Sequence, residues 1–158
     1  MYALGTMYEN GWGIAQDEVE AVKWYRKSAE AGESTGMCYL GIMYLRGLGG
    51  LAKDEVEALK WIRKSAEAGD SNGMFNLGIM YLRGLGGLAK DEVEAVKWYQ
   101  KSADAQNPFG MYTMGLTYEN GRGGLKANRE QAIFWYRKAA ELGFENAKNA
   151  LKRLGVPK

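Results

Sequence analysis

The chain has 158 residues, of which 46% are hydrophobic and 25% are charged, and its formal net charge is +2. These proportions are typical of a folded globular protein and exclude a largely disordered chain. The small net charge gives no electrostatic footprint for nucleic acid, and the apolar runs fall short of the roughly 20 residues that span a bilayer. We therefore expect neither a nucleic-acid partner nor membrane insertion.

Two residue types that often carry chemistry are scarce. Histidine, the commonest general base and metal ligand, is absent. The single cysteine, Cys38, excludes an intramolecular disulfide framework and fits reducing and oxidising compartments alike. The composition thus offers few groups for catalysis or for metal binding.

The dominant feature of the sequence is an internal repeat of 36 or 37 residues, in which the stretch 41–58 returns unchanged as 78–95. Tryptophan recurs with a constant spacing of 37 residues, at Trp24, Trp61, Trp98 and Trp135. A repeat of this length indicates a stack of helical units within one domain, 1–158. The predicted units are about 1–32, 33–69, 70–106 and 107–143.

Each unit is predicted to begin with a helix. In the second unit Met37, Leu40, Gly41 and Tyr44 recur at i, i+3, i+4 and i+7, which is one face of an α-helix. The glycine on that face leaves room for close approach of another helix. The glycine-rich turn that follows, 47–50, could suggest a phosphate-binding loop. It has neither a preceding strand nor a following Gly-Lys-Ser/Thr, so that interpretation fails on context.

A second helix follows the turn in each unit. Asp54 and Glu57 have the spacing of a reciprocal capping box, which explains the repeated carboxylates better than a metal site does. The apolar face of this helix carries Ala58, Trp61 and Ile62 at helical spacing. We therefore expect the four tryptophans to lie in the core.

The two ends of the chain differ from the repeated pattern. The first unit starts at Met1, the counterpart of Met37, so we expect a trimmed start or a missing upstream repeat. The final helix, predicted at about 145–154, has Lys152 where the packing glycine would stand and Gly155 where the tyrosine would stand. A polar residue at a docking position predicts a C-terminal capping helix.

These motifs resemble a known repeat family. Residues 4–17 read Leu-Gly-x-x-Tyr-x-x-Gly-x-Gly-Ile-x-x-Asp, and residues 21–32 read Ala-x-x-Trp-Tyr-x-Lys-Ser-Ala-x-x-Gly. The pattern resembles the Sel-one-like repeat (SLR) family of tetratricopeptide-like proteins, over all four units and the final helix. The chain departs from that family by one extra turn glycine in units two to four and by lacking the cysteine pairs of its disulfide-rich bacterial branch.

The resemblance implies an all-α fold: an α/α right-handed superhelix (solenoid) of four SLR helix-turn-helix repeats plus a C-terminal capping helix. It also implies a protein-binding adaptor, consistent with a bacterial source, whose first helices line the concave surface. The buried-face serines Ser28, Ser65 and Ser102 lack a histidine to activate them. Cys38 has no basic neighbour in sequence. We therefore predict a protein that is not an enzyme and that needs no cofactor and no metal.

A concave partner-binding surface is predicted on the first helices, where units two and three differ most. By similarity to tetratricopeptide stacks, the residues predicted to contact a protein or peptide partner are Tyr2, Thr6, Thr35, Cys38, Ile42, Leu45, Arg46, Asn72, Phe75, Ile79, Leu82, Arg83, Phe109, Tyr112, Leu116 and Glu119. Glu9, Asn10 and Asn120 occupy matching positions. The expected surface is an apolar and aromatic strip with two arginines in the middle and acidic residues at both ends.

Alternatives to this interpretation stay open at the level of sequence. Cys38, Ile42 and Leu45 also form an i, i+4, i+7 stripe that plain packing between repeats would explain. The turn tips, Trp12, Leu48, Leu85 and Arg122, form a second candidate surface or simply staple the turns. As alternatives to an interaction module, the protein could be an immunity-type protein that neutralises a toxin or effector, or a structural segment of a longer repeat protein. An enzyme or small-molecule binder would need a deep pocket with convergent polar groups.

Overall fold

The computed structural model describes residues 1–156, and these residues form nine α-helices and no strand. The helices are α1 (Tyr2–Asn10), α2 (Glu18–Glu30), α3 (Ser34–Arg46), α4 (Glu55–Glu67), α5 (Ser71–Arg83), α6 (Glu92–Asp104), α7 (Pro108–Asn120), α8 (Arg129–Glu141) and α9 (Glu145–Arg153). Consecutive helices pack as antiparallel neighbours in an α/α solenoid. The chain therefore contains four helix pairs followed by one more helix.

The start of each second helix is fixed by two contacts. In α4, the Asp54 carboxylate accepts hydrogen bonds from the backbone N–H groups of Val56 and Glu57, as the sequence predicts. The reciprocal half of the predicted capping box is wrong. The Asp54 N–H donates to the Tyr44 carbonyl oxygen at 3.0 Å, and the Glu57 carboxylate instead pairs with Lys60 at 2.8 Å. The turn is thereby tied to the preceding helix.

The first helices of neighbouring pairs also contact one another along the stack. Within residues 1–156, α1 contacts α3 and α3 contacts α5, whereas no two second helices approach each other as closely. We call the solvent-facing side of α1, α3, α5 and α7 the inner face.

A glycine in each first helix allows the two helices of a pair to touch. A Cβ added at Gly5 or at Gly78 would lie 2.6 Å from the ring of Tyr25 or of Tyr99, a distance that real Cβ atoms do not tolerate. Gly115 meets Tyr136 in the same way. The predicted close approach at this glycine is confirmed.

A second small-residue contact joins one repeat to the next. Gly110 at the start of α7 faces Ser102 of α6, and the Ser102 hydroxyl donates to the Ser71 carbonyl oxygen at 2.8 Å. The same serine and glycine meet at the two earlier junctions. At the last junction both residues change together, to Ala139 and Ala147, and both are fully buried. At this junction the additional methyl group of Ala147 therefore accompanies the loss of a hydroxyl at Ala139.

The prediction that the tryptophans lie in the core is confirmed for Trp135 and is wrong for the other three. Trp135 is buried, but Trp24, Trp61 and Trp98 are half-buried. The fully enclosed side chain of each second helix is the next residue along, such as Tyr25 beside Trp24. The outer faces of three indole rings are covered by lysines one turn later, for example by Lys101 at 3.9 Å from the Trp98 ring centre.

Cys38 lies inside the stack, between α3 and α5. Its side chain is 1% exposed, and its sulfur accepts a hydrogen bond from the Asn76 side-chain amide at 3.7 Å. Burial raises the pKa of the Cys38 thiol to about 12. The thiol is therefore protonated and enclosed at neutral pH.

The junction contact makes a first prediction. Gly110→Ala should lower the free energy of unfolding by about 1–3 kcal/mol, because the new methyl group meets both the Ser102 hydroxyl and the Ala103 backbone nitrogen. Adding Ser102→Ala should recover part of this loss, since the double variant reproduces the Ala139–Ala147 junction. Urea unfolding of both single variants and the double variant measures the coupling. Strictly additive effects would contradict this account.

A second prediction follows from the burial of the Cys38 thiol. A chromogenic disulfide reagent should label Cys38 slowly at pH 8 in the native protein and rapidly in denaturant, because the thiolate is the reactive form and this thiol is both buried and protonated. Since the unfolded thiol ionises near pH 8.5, the Cys38 contribution to stability should be present below that pH and should decline above it. Fast labelling of the native protein would show that the site opens freely.

Candidate functional site

The predicted partner-binding residues all lie on the four first helices, but with very different exposure. The most exposed apolar ones are Phe109 at 49%, Tyr2 at 43% and Leu82 at 41%. Asn72, Arg46 and Arg83 are also exposed. The half-buried members are Thr6, Thr35, Ile42, Leu45, Phe75, Ile79, Tyr112, Leu116 and Glu119. Cys38 is enclosed, so its prediction as a surface contact is wrong: its side chain packs against α5 instead.

Aromatic rings link the repeats along this surface. Tyr2 stacks on Tyr39 with ring centres 6.5 Å apart, and Tyr39 stacks on Tyr25 at 5.0 Å. At the other end, Phe109 lies between Phe75 at 5.8 Å and Phe144 at 4.9 Å. Tyr25 is fully buried, whereas the other rings pack against neighbouring repeats and remain partly exposed to solvent.

Some polar members of the predicted set are engaged between repeats. The Thr35 hydroxyl donates to the Asp70 carboxylate at 2.9 Å. The Asn107 side-chain amide donates to the Asn72 side-chain oxygen at 2.8 Å. Both contacts hold adjacent first helices together. The two sequence interpretations, exposed groove and packing between repeats, therefore describe different residues of one strip.

Glu119, predicted to contact a partner, is occupied inside the protein. Its carboxylate makes a two-pronged ion pair with Arg153 of α9, each N–O distance being 2.7 Å. The Tyr136 hydroxyl donates to the same carboxylate at 2.6 Å. The bond from Arg153 is the main reason that the pKa of Glu119 is lowered. This end of the inner face carries no free negative charge.

Sequence reasoning missed Arg153, although a signal was present. Arg153 stands 37 residues after Leu116, which is the repeat spacing, and so occupies the inner-face position of the final helix. The first repeat has a related but weaker arrangement. The Tyr25 hydroxyl donates to the Glu9 carboxylate at 2.5 Å, and no described arginine or lysine pairs with Glu9.

Arg46 and Arg83 occupy the middle of the inner face. Both are exposed at the ends of α3 and α5, and neither forms an ion pair or a side-chain hydrogen bond within residues 1–156. Arg83 lies near enough to Tyr99 to oppose the effect of burial, which raises the pKa of Tyr99 to about 12. Half-buried Leu45 and exposed Leu82 lie beside these arginines in sequence. The centre of the face is therefore both apolar and cationic.

The turn tips form no comparable surface. Leu48 and Leu85 pack against the cores of their repeats, so they act as staples. Trp12 is 62% exposed, and Arg122 is exposed on the fourth turn. These two side chains belong to turns of different repeats at opposite ends of the stack.

A cavity of about 680 Å³ lies between α8 and α9, where its charged lining residues, which include Arg137, Glu141 and Lys148, are exposed. The described part of the chain holds no cluster of acidic or cysteine side chains that could bind a metal ion. None of its helices is long and apolar enough to cross a membrane.

Solved structures of three bacterial proteins share this architecture. A Sel1 repeat protein from Oxalobacter formigenes superposes with a TM-score of 0.85 at 33% identity, over 95% of this chain and 59% of its own. The protective antigen c5321 of uropathogenic Escherichia coli, which displays an SLR fold, gives 0.80 at 36% identity, over 97% of this chain and 32% of its own. The present chain thus spans less than two thirds of either protein.

A third structure is more distant. The immunity protein Pa5087 from Pseudomonas aeruginosa gives a TM-score of 0.69 at 20% identity, over 92% of this chain and 53% of its own. At that identity the similarity extends to the fold alone. No curated protein matches the chain.

The family is shown by the repeats themselves. The model of the Sel1 repeat matches four consecutive segments, 1–33, 34–70, 71–107 and 108–144. Proteins built from this repeat generally mediate protein–protein interactions, and the fold is typically a non-catalytic scaffold. The sequence, the helix pairs and the matched segments together make this chain a member of the Sel1 repeat family.

Proposed function

We propose that the protein is a non-catalytic interaction module that captures a protein or peptide segment on its inner face. The observation that carries this proposal is the combination of exposed apolar side chains, Leu82 and Phe109, with two uncommitted arginines on one face. Aromatic residues and arginine are enriched at the centres of protein interfaces, where they contribute most of the binding energy.

The distribution of exposure supports the same face. Other exposed apolar residues are mostly isolated: Val19, Val56 and Val93 each stand at the start of a second helix. Single exposed apolar residues are normal on a protein surface and need no partner. The inner face differs because aromatic rings of neighbouring first helices adjoin one another there, as Phe75 and Phe109 do.

A rigid scaffold suits capture of this kind. The inner-face residues project from helices that the glycine contacts hold at close range. Little conformational freedom of the backbone would be lost when a partner binds, so the binding energy would not be spent on ordering the receptor. Most of the ordering that accompanies binding would therefore occur in the partner segment.

This proposal is tested by one substitution on the inner face. Leu82→Asp places a charge among the apolar side chains and should weaken capture of a partner at least tenfold, or about 1.4 kcal/mol. Affinity capture from a lysate of the native cell, followed by quantitative mass spectrometry, compares the variant with the unchanged protein.

The same repeat offers a matched control. Val93 is 50% exposed, against 41% for Leu82, and it stands on α6 outside the inner face. Val93→Asp should leave the captured proteins unchanged, and both variants should keep their helicity because both sites are on the surface. Equal retention of every captured protein by both variants would contradict the proposal.

A further inference from the structure

The sequence places acidic and basic residues together on the inner face, but the two arginines at its middle have no acidic partner within residues 1–156. We infer that this face selects an acidic segment in extended conformation, with carboxylates about three residues apart that bind Arg46 and Arg83. This inference rests on the proposed function and adds the chemistry of the partner. It depends on which charges of the face are already neutralised and which are free.

The carboxylates around the centre of the face are occupied. Glu119 is held by Arg153 and by the Tyr136 hydroxyl. One oxygen of Asp70 accepts from the Gly73 N–H and the other from the Thr35 hydroxyl. Asp70 and Glu9, which accepts from the Tyr25 hydroxyl, are held by neutral donors and have no cation as partner within the described residues. The two central arginines therefore lack an anionic partner in the protein itself.

The fold does not require arginine at these two positions. The equivalent residues of the first and fourth repeats are asparagines, Asn10 and Asn120. Each asparagine donates its side-chain amide to a carbonyl oxygen of its own helix, at 2.9 Å for Asn10 and 2.8 Å for Asn120. A helix end is thus completed without a positive charge. The ending of these helices therefore does not by itself require Arg46 or Arg83, although a positive charge in the last turn is favourable there.

The spacing of the arginines suits an extended chain. They hold equivalent positions on α3 and α5, two helices in contact, and packed helices have axes roughly 8–10 Å apart. An extended peptide in the polyproline II conformation advances about 3.1 Å per residue with about three residues per turn, so every third side chain points to the same side. Two carboxylates separated by about three residues would therefore each meet one guanidinium, and arginine binds carboxylates with paired hydrogen bonds.

The neighbours of the arginines favour a peptide over a polyanion. Leu45 and Leu82 adjoin them in sequence, and Ile79 lies one turn before Arg83 on α5. Such side chains offer apolar contact to residues between the carboxylates. A nucleic acid would instead require a larger basic surface, whereas the chain carries a net charge of only +2.

A random dodecapeptide library displayed on phage tests this inference with the intact protein. The unchanged protein should enrich peptides that carry Asp or Glu pairs three residues apart, and a synthetic peptide of the enriched sequence should bind at least tenfold more weakly when its carboxylates become amides. Its affinity should fall as salt rises, because the contacts at the exposed arginines are screened. Arg46→Glu/Arg83→Glu should reverse the selection in favour of Lys and Arg.

A matched variant controls for net charge. Arg63→Glu/Arg137→Glu makes the same charge change on second helices and should keep the acidic preference. Circular dichroism of both double variants establishes that they are folded. Enriched peptides that depend on Leu82 but carry no acidic residues would overturn this inference and leave the proposed function intact. Failure of the unchanged protein to enrich any peptide, or tighter binding of a single-stranded oligonucleotide than of the acidic peptide, would overturn both.

Discussion

The structure depends on one contact that recurs in every repeat, the seating of a second-helix side chain over a glycine of the first helix. Because Gly5 has no side chain, the Tyr25 ring passes over the first helix and its hydroxyl emerges at the inner face, where it meets Glu9. Tyr136 passes over Gly115 to reach Glu119 in the same manner. The packing contact thus also determines which polar groups reach the inner face. Burial of these tyrosines raises their pKa values, so they stay hydrogen-bond donors at neutral pH.

The two central repeats differ from the outer ones in the surface beside this contact, and the second repeat differs in the contact itself. In the second repeat the seated residue is Ile62, which has no hydroxyl, and leucine stands where the first and fourth repeats have glutamate. In the third repeat the seated residue is Tyr99, with Leu82 at the glutamate position and Arg83 nearby. The acidic residues occur where a tyrosine hydroxyl donates to them. The arginines occur where no such carboxylate is present, and the third repeat shows that a seated tyrosine is not by itself accompanied by a glutamate.

Sequence periodicity predicted the helix pairs and the glycine contact because both are local or repeated patterns. It misplaced the tryptophans because neighbouring residues such as Trp24 and Tyr25 share one broad apolar stripe, and periodicity does not say which of them lies at its centre. It placed Cys38 on the surface because the burial of that thiol depends on Asn76, 38 residues later. It treated Glu119 as free because Arg153 reaches it from the next helix. Each error concerns a contact between elements, which no single helix reveals.

The half-buried and exposed members of the inner-face strip are under different physical constraints. Phe75 and Tyr112 pack against tyrosines of their own second helices, so a change there alters the spacing of helices before it alters recognition. Leu82 and Arg83 are exposed and carry little of the packing. In such a scaffold, substitutions can change the binding specificity without changing the packing only at side chains that do not pack between repeats. In this chain those positions lie in the last turn of α3 and α5, directly before the turns that the repeats share.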